Sequence, residues 1–157
     1  MNTYLIIKVV HILSSVLMVG TGFGSAFYLF FTHRSRALPA IAVVSRLVVR
    51  ADWWFTTPAA LIQPTSGLWL AHSAGWTWSG GWLGLSLILF AVAGACWLPV
   101  VWLQFRFAAI SAESVATGVV LPDHYWRYAR LWERLGYVAF TCMVTIYFLM
   151  VVKPDFG

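Results

Sequence analysis

Charge is what this chain has least of. Only 10% of its 157 residues are Asp, Glu, Lys or Arg, where a soluble domain carries roughly 25%. Hydrophobic residues make up 61%, more apolar surface than a small water-facing body can hide, and a soluble globular fold is excluded. Cysteine is scarce as well. Cys96 and Cys142 each sit in an apolar stretch without a CxxC spacing or a His partner, so neither a disulfide framework nor a zinc site is indicated, and both read as packing residues. Acidic residues number five against ten basic ones, for a formal net charge of +5. A basic excess can mark a nucleic-acid binder, but no Lys/Arg-rich run interleaved with aromatics is present, and nucleic acid is not an expected partner. The basic residues cluster instead at the ends of apolar runs, where lipid head groups lie. Also missing are a nucleophile with its base, a glycine loop for phosphate and paired carboxylates within a span, which removes soluble hydrolase or transferase chemistry.

What is there is length in apolar runs. At about 20 residues per crossing the chain accommodates about four membrane helices. They are expected at 3–31, 52–72, 82–104 and 135–152. The first lacks a small-residue cleavage site after a short apolar core and is expected to stay as a helix rather than leave as a signal peptide. Between the first two, after Pro39, Arg46 and Arg50 stand four apart on one face of a mostly apolar segment, the pattern of a short interfacial helix. The expected fold is therefore all-α: one domain over 1–157, an integral membrane four-helix transmembrane bundle with a short interfacial helix between spans one and two. Pro58 and Pro64 break the second span and free backbone carbonyls inside the membrane.

The connection between spans one and two carries Arg34, Arg36, Arg46 and Arg50, and that between three and four carries Arg106, Arg127, Arg130 and Arg134. The loop 73–81 carries no Lys or Arg. The positive-inside rule places both Arg-bearing connections in the cytoplasm, with the N-terminus, the Trp/Gly loop and the C-terminus outside. Gly20, Gly22 and Gly24 in span one, and Gly84 and Gly94 in span three, allow close helix approach.

An ionisable residue inside a span needs a partner or a function. Lys8 and His11 are three apart on one helix face, continued by Ser14, Ser15, Met18 and Gly22. Lys8 can snorkel outward. His11 lies about 12 Å into its span by helix rise, too short and too deep to do so, which leaves three readings: a metal or haem ligand, a proton relay, or hydrogen-bonded packing. At similar depth lie Gln63 and Pro64 on span two, and Met143 and Tyr147 on span four. Met143 is a candidate sixth ligand, against its ordinary use as gap-filling packing. His72 fits an aromatic belt with Trp69, Trp76 and Trp78. His33 and His124 fall in cytoplasmic connections, where a solvated role is expected. Asp52 beside Arg50, and Glu133 between Arg130 and Arg134, stand at helix N-termini and read as caps and ion pairs. The surplus Arg residues are alternatively placed to grip the carboxylates or phosphates of a ligand.

Several patterns coincide in order: His11 within Lys8-Val-Val-His-Ile-Leu, the run Gly22-Phe-Gly-Ser-Ala-Phe-Tyr28, then Thr57-Pro-Ala-Ala with Gly67-Leu-Trp-Leu70, and Val151-Val-Lys-Pro154 at the end. Together they resemble the HemJ-type membrane protoporphyrinogen IX oxidases. Glu133, after Arg130-Leu-Trp, looks like the acidic residue those proteins carry at the start of the last span. Span three departs from that family: Trp82-Leu-Gly-Leu-Ser-Leu and Cys96-Trp-Leu-Pro99 carry neither the Lys nor the His it shows there. The chain is similar in the same way to a sister family of predicted integral membrane proteins of the same architecture and no established reaction. The first resemblance implies haem b with His11 as axial ligand, propionates held by Arg50, Arg106, Arg130 or Arg134, a porphyrinogen substrate, and electron transfer to a quinone or respiratory partner in a bacterial inner membrane. A homo-oligomer or a subunit of a complex is expected. The competing function is non-enzymatic: an accessory subunit, or a component for small-solute or metal transport, for which Pro58, Pro64 and Pro99 supply the helix breaks.

Overall fold

A computed structural model describes residues 2–76 and 81–154. Trp78, expected in an aromatic belt, and most of the connection around it lie outside the described residues. The described residues form five α-helices and no strand: α1 (Thr3–Ser35), α2 (Leu38–Ala51), α3 (Thr57–Ser73), α4 (Gly81–Thr117) and α5 (Asp123–Val152). Three of them, α1, α4 and α5, are long and apolar enough to cross a membrane. Large apolar side chains point outward along the bundle, among them Leu13, Val16, Ile88 and Phe148. In water that surface would drive aggregation; in lipid it is the ordinary exterior.

Asn2 caps α1, its side chain accepting from the Tyr4 backbone N–H at 3.1 Å. Gly118, at φ +69°, ends α4 in the left-handed region that a Cβ disfavours. Between α2 and α3 the helix does not stop. Residues Asp52–Thr56 form a π-helical turn, closed by the Thr57 N–H donating to the Asp52 carbonyl. Pro58 follows at once and has no N–H to offer the Trp54 carbonyl, so the hydrogen-bond ladder must be re-spaced at this point.

This continuity changes the reading of residues 40–50. The segment expected to lie on the membrane surface, with Arg46 and Arg50 on one face, buries Ile41, Ala42, Ser45 and Val48. They pack against α1 and α4, and α2 runs on into α3. An amphipathic period shows that one face is covered; it does not distinguish protein from lipid as the cover. Two boundaries move as well. α4 continues eleven residues past Arg106 to Thr117, burying Ile110, Ser111 and Ser114, and α5 begins at Asp123, not near 135. Arginines mark where lipid ends, and helices packed on each other outside it have no reason to end there.

α4 packs most extensively on α5 and next on α2, α1 packs on α3 and α2, and α1 touches α5 only sparsely. The main core gathers Leu29, Ile41, Val48, Leu103, Phe107, Tyr125 and Trp132 at one end of the bundle. That end holds both Arg-bearing connections: Arg34 meets Glu133 at 3.9 Å and the Arg36 guanidinium lies 3.7 Å from the Trp126 ring centre. The opposite end joins Tyr4 to Trp69, with ring centres 6.4 Å apart, and sets Lys153 over Trp76 and Trp82 at 5.3 and 5.6 Å.

Candidate functional site

Among the described residues, buried polar groups gather at three places, and the third adjoins the larger of two cavities. The first surrounds His11. Its Nδ1 is 2.9 Å from the Ser66 Oγ, and its Nε2 is 3.2 Å from the Gln63 Nε2. Ser14 donates to the Gln63 Oε1 and to the His11 carbonyl. The imidazole lies against Gly67, where a Cβ would come within 2.9 Å of its Cε1. The ring is thus held edge-on between α1 and α3 with both nitrogens engaged. In this arrangement each ring nitrogen has a hydrogen-bonding neighbour on α3. Lys8, three residues away, is exposed.

The second surrounds His33, which is 3% exposed rather than solvated as its place in a connection implied. Its Nε2 pairs with the Tyr125 hydroxyl at 2.9 Å, and the rings of Phe107, Tyr125, Trp126 and Trp132 stand edge-on around it, centres 5.1 to 6.2 Å away. Its Nδ1 is buried without a partner. The sequence offered no clue to this burial, because a His followed by Arg-Ser-Arg reads as a solvated helix end. Only the extension of α4 and α5 beyond the apolar spans, which brings Phe107 and Tyr125 to it, buries the ring.

The third is the polar end of a cavity of about 370 Å³ bounded by α1, the π turn and start of α3, α4 and α5. Its walls are apolar, with Gly22, Ala26, Ala93, Gly94 and Gly136 supplying the space that larger side chains would fill. Phe27, Phe31, Tyr137 and Phe140 line it and are exposed, so it opens sideways between α1 and α5, where those helices make least contact. Asp52, Thr56, Gln104 and Glu133 supply its polar end. The π turn carries Asp52 inward to 4% exposure, where its carboxylate accepts from the Thr56 hydroxyl at 2.8 Å. Gln104, 5% exposed, lines the same end, and its Oε1 is buried with no partner among the described residues. A buried acceptor left unpaired costs about 1–3 kcal/mol. Asp52 was expected to cap a helix beside Arg50, and Glu133 to pair with its neighbours. Instead Asp52 is bound to Thr56 and Glu133 faces Arg34 of α1.

The other sequence candidates distribute as follows. Met143 lines the cavity; His11 does not. Arg50, Arg106, Arg130 and Arg134 are exposed and none lines the cavity. His124 stacks edge-on with Tyr128. Among the described residues no three His, Cys, Asp or Glu side chains group as a metal site. Haem b, which the resemblance implied, does not fit this donor set: the imidazole and the thioether do not face one space, and no cation lines the cavity to meet propionates.

A bundle of apolar membrane-crossing helices enclosing a cavity that opens to its side defines a polytopic helical membrane protein with an intramembrane chamber. Residues 5–154 match the DUF2269 family, described as predicted integral membrane proteins, and the chain belongs to that family. This agrees with the second resemblance, to predicted integral membrane proteins, and leaves the HemJ-type assignment without support from the match. No curated protein and no solved structure matches the chain.

Proposed function

We propose that this protein binds an apolar small molecule, admitted from the lipid, in the chamber between its helices. The observation that carries the reading is the cavity itself, about 370 Å³ of space with apolar walls and a small polar end at Asp52, Thr56, Gln104 and Glu133. An apolar cavity with a few convergent polar groups is the usual form of a small-molecule site. In this reading α3, continued from α2, is the fourth crossing, and the Arg-bearing end faces the cytoplasm. Photolabelling of the protein in lipid nanodiscs with a diazirine-bearing apolar ring compound tests it. Label on peptides of α1, α4 and α5 that line the cavity, saturable and competed by unlabelled compound, is expected. Label spread evenly over the lipid-facing surface and not competed refutes it.

The narrower reading is a haem b protein oxidising protoporphyrinogen IX and passing electrons to a quinone or respiratory partner. It has the resemblance of span one, and Met143 in the lining, on its side. It requires His11 to leave Gln63 and turn away from Gly67. An absorption spectrum of detergent-purified protein, oxidised and then reduced by dithionite, decides it. A Soret band that shifts on reduction, at near one haem per chain and lost in His11→Ala, establishes that reading. A featureless visible spectrum of folded protein removes it.

A further inference from the structure

His11 stands apart from the chamber, which it does not line, and the hydrogen bonds around it have a direction that donor chemistry fixes. The Gln63 amide nitrogen has only protons to give, so the His11 Nε2 that it meets at 3.2 Å is an acceptor. A neutral imidazole then carries its proton on Nδ1, which donates to the Ser66 Oγ at 2.9 Å. Ser66 accepts it because its own proton goes to the Ile62 carbonyl, and the Gln63 Oε1 accepts from Ser14. Each link from Ser14 through Gln63, His11 and Ser66 to Ile62 thus joins one donor to one acceptor, with the ring uncharged.

The same groups accommodate a second proton. The last torsion of a glutamine has two broad wells, and a half-turn about it exchanges Oε1 and Nε2 in place. The Gln63 Oε1 then accepts from a protonated His11 Nε2, the amide N–H turns to the Ser14 Oγ, and the Ser14 proton goes to the His11 carbonyl, which it already reaches at 2.9 Å. Nδ1 keeps Ser66 in both arrangements. The ring need not move, and its close fit against Gly67 makes the amide the part that turns. Neither α1 nor α3 carries an Asp or Glu, so the acceptors for a cation here are neutral dipoles. The groups that α3 sets against the ring, Gln63, Ser66 and Gly67, do not titrate. Lys8 is exposed three residues away on α1, and His72 lies six residues beyond Ser66 on α3. Asp52 of the π turn is eleven residues from Gln63, about 16 Å by helix rise, and Lys153 of α5 is held over Trp76 and Trp82. His33 lacks this provision: its Nδ1 has no partner among the described residues and aromatic rings surround it, so a second proton there would meet no acceptor.

We infer that His11 is a proton-binding site inside the membrane, where uptake of one proton from the aqueous phase at Nε2 is completed by a half-turn of the Gln63 amide. Burial opposes a charge at this depth. The Gln63 carbonyl and the Ser66 hydroxyl offset it, one on each ring nitrogen, and the bound proton reverses the hydrogen bonds of Gln63 across the α1–α3 seam without separating the helices.

Nitrogen-15 NMR of histidine-labelled protein in lipid nanodiscs tests this, with the His11 signals identified by their loss in His11→Ala. At high pH the proton of His11 should lie on Nδ1, the minor tautomer of histidine in water. Between about pH 8 and pH 5 both nitrogens of His11 should become protonated, while His33 stays neutral. Gln63→Leu should lower the His11 midpoint by about one to two pH units, the worth of one hydrogen bond to a charged group. Gln63→Glu, which sets a carboxylate against Nε2, should raise it. Near-UV circular dichroism checks that each variant is folded; the tautomer and titration of the parent decide the matter if one is not. A His11 ring that stays neutral to about pH 5, a proton on Nε2 at high pH, or a midpoint that Gln63→Leu leaves in place overturns the proposal.

Discussion

Gly67→Ala tests whether His11 is a clamp between α1 and α3. On helix propensity alone the change stabilises by at most about 1 kcal/mol, since alanine is the better helix former. The packing says otherwise. The new Cβ would stand 2.9 Å from the His11 Cε1, a separation that real Cβ atoms essentially never show. Relief requires the imidazole to move, and it cannot move without leaving the Ser66 Oγ and Gln63 Nε2, which hold it at 2.9 and 3.2 Å. Overpacking costs about 1–3 kcal/mol, and interhelical hydrogen bonds in membranes average about 0.6 kcal/mol each. Against the propensity gain, the net destabilisation is about 1–3 kcal/mol. Reversible unfolding in mixed micelles of a mild detergent and dodecyl sulfate, followed by tryptophan fluorescence, measures it. The sign should reverse in a His11→Ala background, where nothing occupies the space and alanine at 67 should be neutral or stabilising. A Gly67→Ala protein as stable as the parent, or additive effects of the two substitutions, would refute the clamp.

Three further outcomes follow from the same geometry. Tyr125→Phe removes the hydroxyl that pairs with the buried His33 Nε2 and, among the described residues, leaves both ring nitrogens unpaired, at an expected cost of about 1–3 kcal/mol; adding His33→Leu should recover part of that loss, and a double variant as damaged as the sum of the singles contradicts the pairing. Arg34→Gln breaks an ion pair at 3.9 Å whose basic partner is largely exposed, so unfolding should shift by less than about 1 kcal/mol; a larger shift would mean that Arg34 supports more than Glu133. Orientation is read by a membrane-impermeant maleimide on intact cells, in a Cys96→Ala/Cys142→Ala background: Ser73→Cys should label and Ser35→Cys should not. The opposite pattern inverts the proposed topology.

The parts of this fold legible in the sequence are those set by a single physical cause. Lipid demands long apolar helices, and the Arg-bearing connections do share one end of the bundle, because head groups attract arginine wherever the chain leaves the hydrocarbon. The site was legible only in fragments. His11 stood out because a short ionisable side chain deep in a span needs a partner, and Gln63 was noticed at its depth; that Ser66 and Gly67 complete the clamp depends on α1–α3 packing, which no pattern along either helix encodes. Asp52 and Gln104 were misread or passed over for a reason of the same kind. Asp52 sits where an apolar run begins, the usual place for a cap, and only the π turn before Pro58 swings it into the bundle. Gln104 sits where an apolar run ends, the usual place for a solvated amide. It is buried because α4 does not end with the apolar run and α5 starts well before its own, so that protein, rather than water, covers both residues. The polar end of the chamber is therefore built from residues whose sequence context signals a membrane boundary. In a small membrane bundle, acidic and amide side chains at the apparent ends of spans are the ones whose burial is worth testing first, because helices that extend past the lipid can enclose them at a depth hydropathy does not report.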